Sequence, residues 1–357
     1  MKIGILTHHH IHNDGAMLQA YAQAKMLREY FPDHQVEIID LWLESWSTLD
    51  EKSLESGRGR LLNDFIENSL PLSKNRLITD YYDEALDFVS DYDMVIVGSD
   101  EVWKLEWRGR YQKTFPNIFW LNPNLNCKKI AMAASANRLI YRDRDKQELQ
   151  QMKKYLDSFE LLGARDNHTI EFLDYLGIKD KVFKVCDPTI PFTFPAIDLT
   201  DKLTGLGIDL NKPIVGIRMD RIQHGNVAEL CKKQLKGYQK VSLNNYNKYT
   251  DFNLIGHIDP LEWANVFRYL DFCITDSYHC TIFSIKNNVP LKVIDHDRLY
   301  RGTETKTHDI LWDMDMLYCY ESINSILKKY KVDEAKFNKL KQTYFDYLGV
   351  VKTHVEL

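Results

Sequence analysis

The sequence predicts an α/β protein made of two parallel-sheet domains that face each other across a cleft. Three observations carry this. Short apolar runs alternate with amphipathic helical stretches over residues 2–185. The alternation stops in a stretch holding Pro188, Pro191, Pro195 and the Gly205/Gly207 pair, and it restarts at Pro213. Alternation of this kind places helices on both faces of a parallel sheet, and a proline-rich break separates two such sheets. At 357 residues the chain also exceeds one ordinary core and suits two domains of about 150–200 residues. The expectation is a Rossmann-like domain over residues 1–192, a second over 213–330, and a helix within 331–357 that packs back across both.

Taken in order, Lys2–Thr7 is a first apolar strand, and Asp14–Tyr30 is a helix with Met17, Leu18, Tyr21, Ala24 and Leu27 at helical spacing. Val36–Leu41 is a second strand. A polar insert around Gly57-Arg58-Gly59-Arg60 leads to amphipathic helices over Leu61–Asn68 and Ile78–Val89. Asp93–Val97 and Lys129–Ala134 are buried strands, Arg144–Phe159 a helix, and Glu160–Ala164 a short strand. Asp166 or Asn167 then caps a helix that ends at Leu176, and Val182–Val185 closes the first run. After the break come a strand Pro213–Ile217, a helix Asn226–Leu235, a strand Gln239–Leu243 and a helix Pro260–Tyr269. A buried strand Leu270–Thr275 turns directly into a helix reaching Lys286, followed by a strand Leu291–Ile294. The tail Asp333–Leu348 is a helix with Phe337, Leu340, Tyr344 and Leu348 on one face.

Composition removes several function classes. Hydrophobic content of 44% with 27% charged residues is ordinary for a soluble globular protein. No apolar run approaches the roughly 20 residues of a membrane helix. Met1–Thr7 is too short before its polar cluster to be a signal peptide, and is a strand. A net charge of −5 gives no global field for nucleic acid, so no nucleic-acid partner is expected, and a membrane-surface contact requires a local patch. The six cysteines are scattered without a Cys-x-x-Cys pair, the pattern of reduced thiols in a cytoplasmic protein with neither disulfide frame nor zinc site.

Ligands of open parallel sheets bind outside the carboxyl ends of the strands. Those ends hold His8-His9-His10, Ser99-Asp100, Ser135-Ala136-Asn137, Arg165-Asp166, Asp187, Arg218 and Asp276-Ser277-Tyr278-His279, a polar set fed by apolar strands. In the first loop His8, His9, His10 and His12 precede Asn13-Asp14-Gly15-Ala16, where Asn13 or Asp14 caps the helix. Adjacent histidines in extended chain alternate in direction, so one or two line a cleft and the others are solvated. No carboxylate or cysteine at ligand spacing completes a metal site. Gly98-Ser99-Asp100-Glu101-Val102-Trp103 fits either a capped helix start with Trp103 in the core, or a cleft-facing Ser/Asp pair with Trp103 as a surface for a sugar ring. Arg165 and Arg218 end strands, where a guanidinium fork suits a carboxylate or phosphate; a salt bridge to Asp166 or Asp220 is the structural alternative. Lys306 and His308 form a second basic cluster, expected in a solvated loop.

The turn Asp276–Ser284 is the most informative of these. A strand running straight into a helix aims the first unpaired amides outward, which is a ready anion site. Asp276 or Ser277 caps it, and His279 lies in the first turn. There is no G-x-G-x-x-G, no P-loop and no G-x-S-x-G elbow, which leaves dinucleotide, P-loop nucleotide and serine-hydrolase readings unsupported.

These motifs together resemble the polysaccharide pyruvyl transferase family. The resemblance rests on Asn13-Asp14-Gly15-Ala16-Met17-Leu18-Gln19-Ala20 after the first strand, Val97-Gly98-Ser99-Asp100-Glu101-Val102-Trp103, Lys129-Ile130-Ala131-Met132-Ala133-Ala134-Ser135, Arg165-Asp166, Asp187-Pro188-Thr189, and Thr275 to Ser284. They occur in the family's order across residues 3–290. Cys280 is a departure, standing where the family carries glycine, and it narrows any pocket there by a Cβ and a thiol.

The resemblance implies a GT-B-like fold and transfer of a pyruvyl group from phosphoenolpyruvate to a sugar of a surface polysaccharide or its precursor, as a ketal. It implies donor binding by Arg165, Arg218, Ser277, His279 and Thr281, and catalysis by His279 beside Asp276, with Asp100 or a histidine of His8–His10 on the acceptor side. Acceptor contacts fall on His8, His10, Asn13, Gln19, Ser99, Trp103 and Asn137. No metal or organic cofactor is required. Partners are phosphoenolpyruvate and a glycan or lipid-linked oligosaccharide, with acceptor recognition or membrane approach expected from Leu43–Arg76. Two alternatives stand beside this. One is a nucleotide-sugar glycosyltransferase with Glu304 or Asp295 on the donor ribose; the other is an idle polysaccharide-binding member inactivated at Cys280.

Overall fold

The computed structural model describes residues 1–45, 51–108, 111–137, 139–220, 228–229, 232–294, 305–320 and 331–356. The helix expected over Asn226–Leu235 falls largely outside them, as do Asp295 and Glu304. Residues Met1–Ser53, Asn63–Phe192 and Leu340–Leu357 group as one unit, and Leu54–Leu62 with Thr193–Lys339 as a second.

The first unit contains strands β1 (Lys2–Leu6), β2 (Gln35–Ile38), β3 (Leu41–Trp42), β4 (Leu77–Ile78), β5 (Met94–Val97), β6 (Glu106–Arg108), β7 (Tyr111–Lys113), β8 (Lys128–Ala134), β9 (Leu161–Ala164) and β10 (Val182–Lys184). Six of them form one sheet in the order β10-β9-β8-β5-β1-β2, and every pairing in it is parallel. Because helices cover both faces, the central strands are continuously apolar: Met94, Val95, Ile96 and Val97 are all fully buried. From β1 the sheet grows to β2 on one side and to β5 and its successors on the other. The order of strand addition therefore reverses between β1 and β5, the place where such sheets bind ligands.

The helix Asp14–Tyr30 follows β1, and the Asn13 side chain caps it by accepting from the Ala16 amide at 3.3 Å. The tail helix Glu334–Val355 runs seven residues beyond the expected end at Leu348. Its residues from Leu340 on belong to the first unit. There the Tyr347 hydroxyl donates to the Ala131 carbonyl at 2.6 Å, and the Lys128 ammonium donates to the His354 carbonyl at 2.6 Å. Gly163 on β9 makes this seat: a Cβ there would lie 2.8 Å from both the Ala131 carbonyl and the Tyr347 ring.

The second unit holds β11 (Ile214–Arg218), β12 (Gln239–Ser242), β13 (Phe252–Asn253), β14 (Phe272–Thr275) and β15 (Leu291–Val293), all parallel in the order β13-β12-β11-β14-β15. Its switch point lies between β11 and β14. The proline-rich stretch after Phe192 is anchored on this unit. Ile197 N–H donates to Asn265 Oδ1 at 3.1 Å, Asn265 donates to the Pro195 carbonyl at 2.9 Å, and a short helix Thr200–Gly205 follows.

Four expectations change. The Gly57-Arg58-Gly59-Arg60 insert is the start of a helix, Gly57–Ser69, because the Ser56 hydroxyl accepts from the Gly59 amide at 2.9 Å and nucleates it. The strand expected over Val36–Leu41 breaks after Ile38; Asp40 N–H donates to the Ser73 hydroxyl, and Leu41–Trp42 pairs with Leu77–Ile78. That pairing also shortens the helix expected from Ile78 to Tyr82–Val89. Lys306 and His308 are not in a loop. They lie in a helix Lys306–Asp313 whose cap, Thr305, accepts from the His308 amide at 3.3 Å, and His308 is buried.

Candidate active site

In the second unit, β11 delivers Arg218 and β14 delivers Thr275 to the switch point in register with each other. The Arg218 guanidinium is ion-paired to Asp276, and its other arm lies 3.7 Å from Asp220. The second Asp276 oxygen accepts from the Asp220 amide at 2.6 Å. Asp276 is thus held by Arg218 and does not cap the helix; burial pushes its carboxyl above the ordinary value, against the pull of Arg218 and the Asp220 amide. Ser277 occupies the cap position of the nine-residue helix Tyr278–Lys286, yet its side chain makes no capping bond. Instead Ser277 N–H donates to Thr275 Oγ1 at 2.8 Å, and the Thr281 hydroxyl donates to the Ser277 carbonyl at 3.0 Å.

His279 is buried in the first turn, its ring edge-on to Tyr278. Lys306 lies over the Tyr278 ring at 5.0 Å, a cation that the sequence offered only as part of a solvated cluster. Arg218 keeps 26% of its side chain exposed, so this turn sets a partly exposed arginine next to a helix start. Such a pair can hold a carboxylate or phosphate. Cys280 is fully buried, and burial drives its thiol well above the ordinary value despite nearby Arg218. A neutral, buried thiol is a poor nucleophile.

The switch point of the first unit is built around Asp100, at the end of β5. Asp100 has φ of 96°, a conformation costly for a residue with a Cβ and often found at functional sites. Next to it, Gly98 has φ of 104°, and a Cβ there would meet the Met132 carbonyl at 2.5 Å. The turn is clamped from the first helix and strand: Gln23 donates to the Gly98 carbonyl and accepts from the Ser99 amide, both at 2.8 Å, and the Thr7 hydroxyl donates to the Ser99 carbonyl at 2.7 Å. Asp100 Oδ1 accepts from Glu101 N–H at 2.7 Å and from Arg165 at 3.3 Å.

Arg165 differs from expectation. Its side chain is fully buried, donating to Asp187 at 2.9 Å, to Gln19 at 3.1 Å and to Asp100. Two carboxylates neutralise it, and Asp187 is held in turn by the Thr189 amide and hydroxyl. Arg165 is therefore a fixed strut behind Asp100 and is not an open anion grip. Gln19 belongs to the same strut.

Several acceptor expectations are corrected by packing. Trp103 is fully buried, its indole donating to the Phe119 carbonyl at 3.2 Å and its ring packed against Trp120 and Phe159, so it presents no face to a sugar. The Ser99 hydroxyl donates to the Ala133 carbonyl at 3.1 Å. His8 and His10, expected at the acceptor, are buried in packing, His8 meeting the Phe119 ring edge-on at 4.7 Å and His10 stacking on Trp42 at 5.3 Å, and His9 is buried too, bonding Asp40 at 3.1 Å. Only His12 of this group is exposed. Asn137 donates to Glu101 at 2.9 Å, and Asn13 is exposed and occupied in capping. Among the described residues no group of three or more His, Cys, Asp or Glu could hold a metal ion. No helix there is long and apolar enough to cross a membrane.

A model of the polysaccharide pyruvyl transferase family matches residues 13–298, a span that takes in the switch points of both sheets. The chain belongs to the polysaccharide pyruvyl transferase family. No curated protein sequence matches it. Among solved structures, this pyruvyl transferase family member is similar to the UDP-GlcNAc 2-epimerase of Neisseria meningitidis bound to UDP-GlcNAc, with a TM-score of 0.55 and 12% identity over 100% of both chains. It is also similar to the UDP-GlcNAc 2-epimerase of Methanocaldococcus jannaschii, with a TM-score of 0.53 and 13% identity over 99% of this chain and 100% of that one. At such identities the likeness is one of fold, and the fold is the GT-B type with two Rossmann-like sheets.

Proposed function

We propose that this family member moves a pyruvyl group from phosphoenolpyruvate onto two hydroxyls of one sugar in a surface polysaccharide or its precursor, forming a ketal and releasing phosphate. The observation that carries the reading is the turn at the end of β14. It combines a partly exposed Arg218, a helix start without side-chain cap, and His279 in the first turn. A donor with one carboxylate and one phosphate matches that set of cations and amides. Arg218, Ser277, His279 and Thr281 bind the donor, with Lys306 added from the neighbouring helix.

The chemistry assigns the proton traffic. The enol CH2 gains a proton, which makes C2 electrophilic. One sugar hydroxyl attacks C2 and loses its proton, phosphate leaves, and the second hydroxyl closes the ring and loses its own. Protonating the enol suits His279, with Asp276 fixing the Arg218 guanidinium. Asp100, aimed by Arg165, serves the acceptor side. A phosphoenolpyruvate donor places the reaction in the cytoplasm, with approach to the membrane surface when the acceptor is lipid-linked.

Ligand-induced thermal stabilisation tests this, comparing phosphoenolpyruvate with UDP- and GDP-sugars. A ligand at 100 times its Kd adds about 2.7 kcal/mol. Stabilisation by phosphoenolpyruvate and acceptor-dependent phosphate release are expected. Stabilisation by a nucleotide sugar alone would replace the reading with glycosyl transfer, and stabilisation by glycan without phosphate release would make the chain a binding protein.

A further inference from the structure

The first unit contains a pocket of about 290 Å³ whose wall begins at Leu43 and Ser45, apart from the residues at the two switch points. Its polar lining is Ser45, Asp80, Tyr81, Tyr82, Thr114 and Asn117. We propose that this pocket receives one neutral sugar residue of the acceptor glycan, a role that rests on the acceptor being a glycan as proposed above.

Four observations carry the assignment. The volume lies at the small end of ligand pockets, which begin near 300 Å³, and suits one pyranose ring. Among the described residues that line it there is a carboxylate, Asp80, and no lysine or arginine, a lining that favours hydroxyl donors over an anion such as phosphoenolpyruvate. Asp80 is pre-oriented: both its oxygens accept from the Ser45 amide at 3.0 Å, and Oδ1 also accepts from the Ser45 hydroxyl at 2.9 Å. That leaves Oδ2 acceptor capacity for a ligand hydroxyl. Tyr81 is 73% exposed at the pocket wall, and an exposed ring in the same wall as a fixed carboxylate is a combination that can stack on a sugar's C–H face while the carboxylate bonds its hydroxyls.

The pocket is also joined to the switch point of the first sheet. Its wall residue Leu43 follows Trp42, on which His10 stacks, and its wall residue Ile118 precedes Phe119, which His8 meets edge-on. A sugar seated there thus bears on the scaffold that holds the loop after β1. It would anchor a residue of the acceptor chain, not the residue that reacts.

The test uses saturation-transfer NMR on the full chain with millimolar methyl pyranosides of glucose, galactose, mannose and the N-acetylhexosamines. Tyr81→Ala, at an exposed position, and the isosteric Asp80→Asn are compared with wild type, with thermal midpoints confirming folding. At least one glycoside should bind, and both variants should weaken it by tenfold or more while stabilisation by phosphoenolpyruvate is unchanged. If no glycoside binds wild type, or both folded variants bind as well as wild type, the pocket assignment is overturned. If phosphoenolpyruvate fails to stabilise wild type while glycoside binding depends on Tyr81 and Asp80, the pyruvyl-transfer reading falls and the sugar pocket stands.

Discussion

Arg218 and Asp276 form an ion pair across adjacent strands at the switch point of the second sheet. Each comes from the last residue of a strand or the next one, so the pair is fixed by backbone register and needs no loop to form. Arg218 still keeps 26% of its side chain exposed.

His279→Ala should lower pyruvyl transfer by about 100-fold or more while the protein remains folded, the loss expected when a positioned acid or base is removed. Phosphate release per folded molecule, checked by thermal melts, measures it. Near-normal turnover would make His279 a packing residue. Cys280→Ala serves as control: with its thiol buried and neutral, turnover should be preserved.

Arg165→Lys should lower kcat with little change in the KM for phosphoenolpyruvate. A lysine keeps the charge but cannot reach Asp187, Gln19 and Asp100 at once. Arg165→Met, which takes the cation away from two buried carboxylates, should cost about 3–5 kcal/mol of stability. A raised KM with unchanged kcat would return Arg165 to the donor site.

Asp40 sets part of the acid limit. Burial alone would raise its carboxyl, but His9 and Arg76 outweigh this and hold it below the ordinary value. A carboxyl lowered in the folded state contributes stability above its unfolded value near pH 4, and that contribution disappears as pH falls through the folded value. Asp40→Asn should therefore lose about 1–3 kcal/mol at pH 7. The gap to wild type should close below about pH 4; urea midpoints across pH 3–7 measure it.

Tyr347→Phe should cost about 1 kcal/mol by removing the bond to the Ala131 carbonyl. Gly163→Ala should cost more, about 1–3 kcal/mol, because its Cβ would collide with that carbonyl and the same ring. Equal thermal midpoints for Gly163→Ala and wild type would contradict this account of the tail helix.

What the sequence made legible was local. The apolar runs at Met94–Val97 and Phe272–Thr275 are strands because both faces of a parallel sheet are covered, and the polar residues after them do mark the switch points. What it hid depended on distant partners. Nothing near Arg165 shows that Asp187 and Asp100 return to neutralise it. Trp103 beside a Ser-Asp pair looked available until Trp120 and Phe159 enclosed it. The Gly-Arg-Gly-Arg stretch has poor helix propensity, and a single Ser56 cap outweighed it. The sugar-sized pocket was out of reach for the same reason, since Ser45, Asp80 and Asn117 meet only after folding.

The tail helix has a consequence for biosynthesis. Residues 340–355 lie against β8 and β9 and belong to the first unit, whereas the second unit is composed of residues 54–62 and 193–339. A ribosome therefore releases every residue of the second unit before it has released the last helix of the first. During synthesis the amino-terminal sheet waits with Gly163 and the Ala131 carbonyl uncovered, and the order in which the units are completed is the reverse of the order in which they begin.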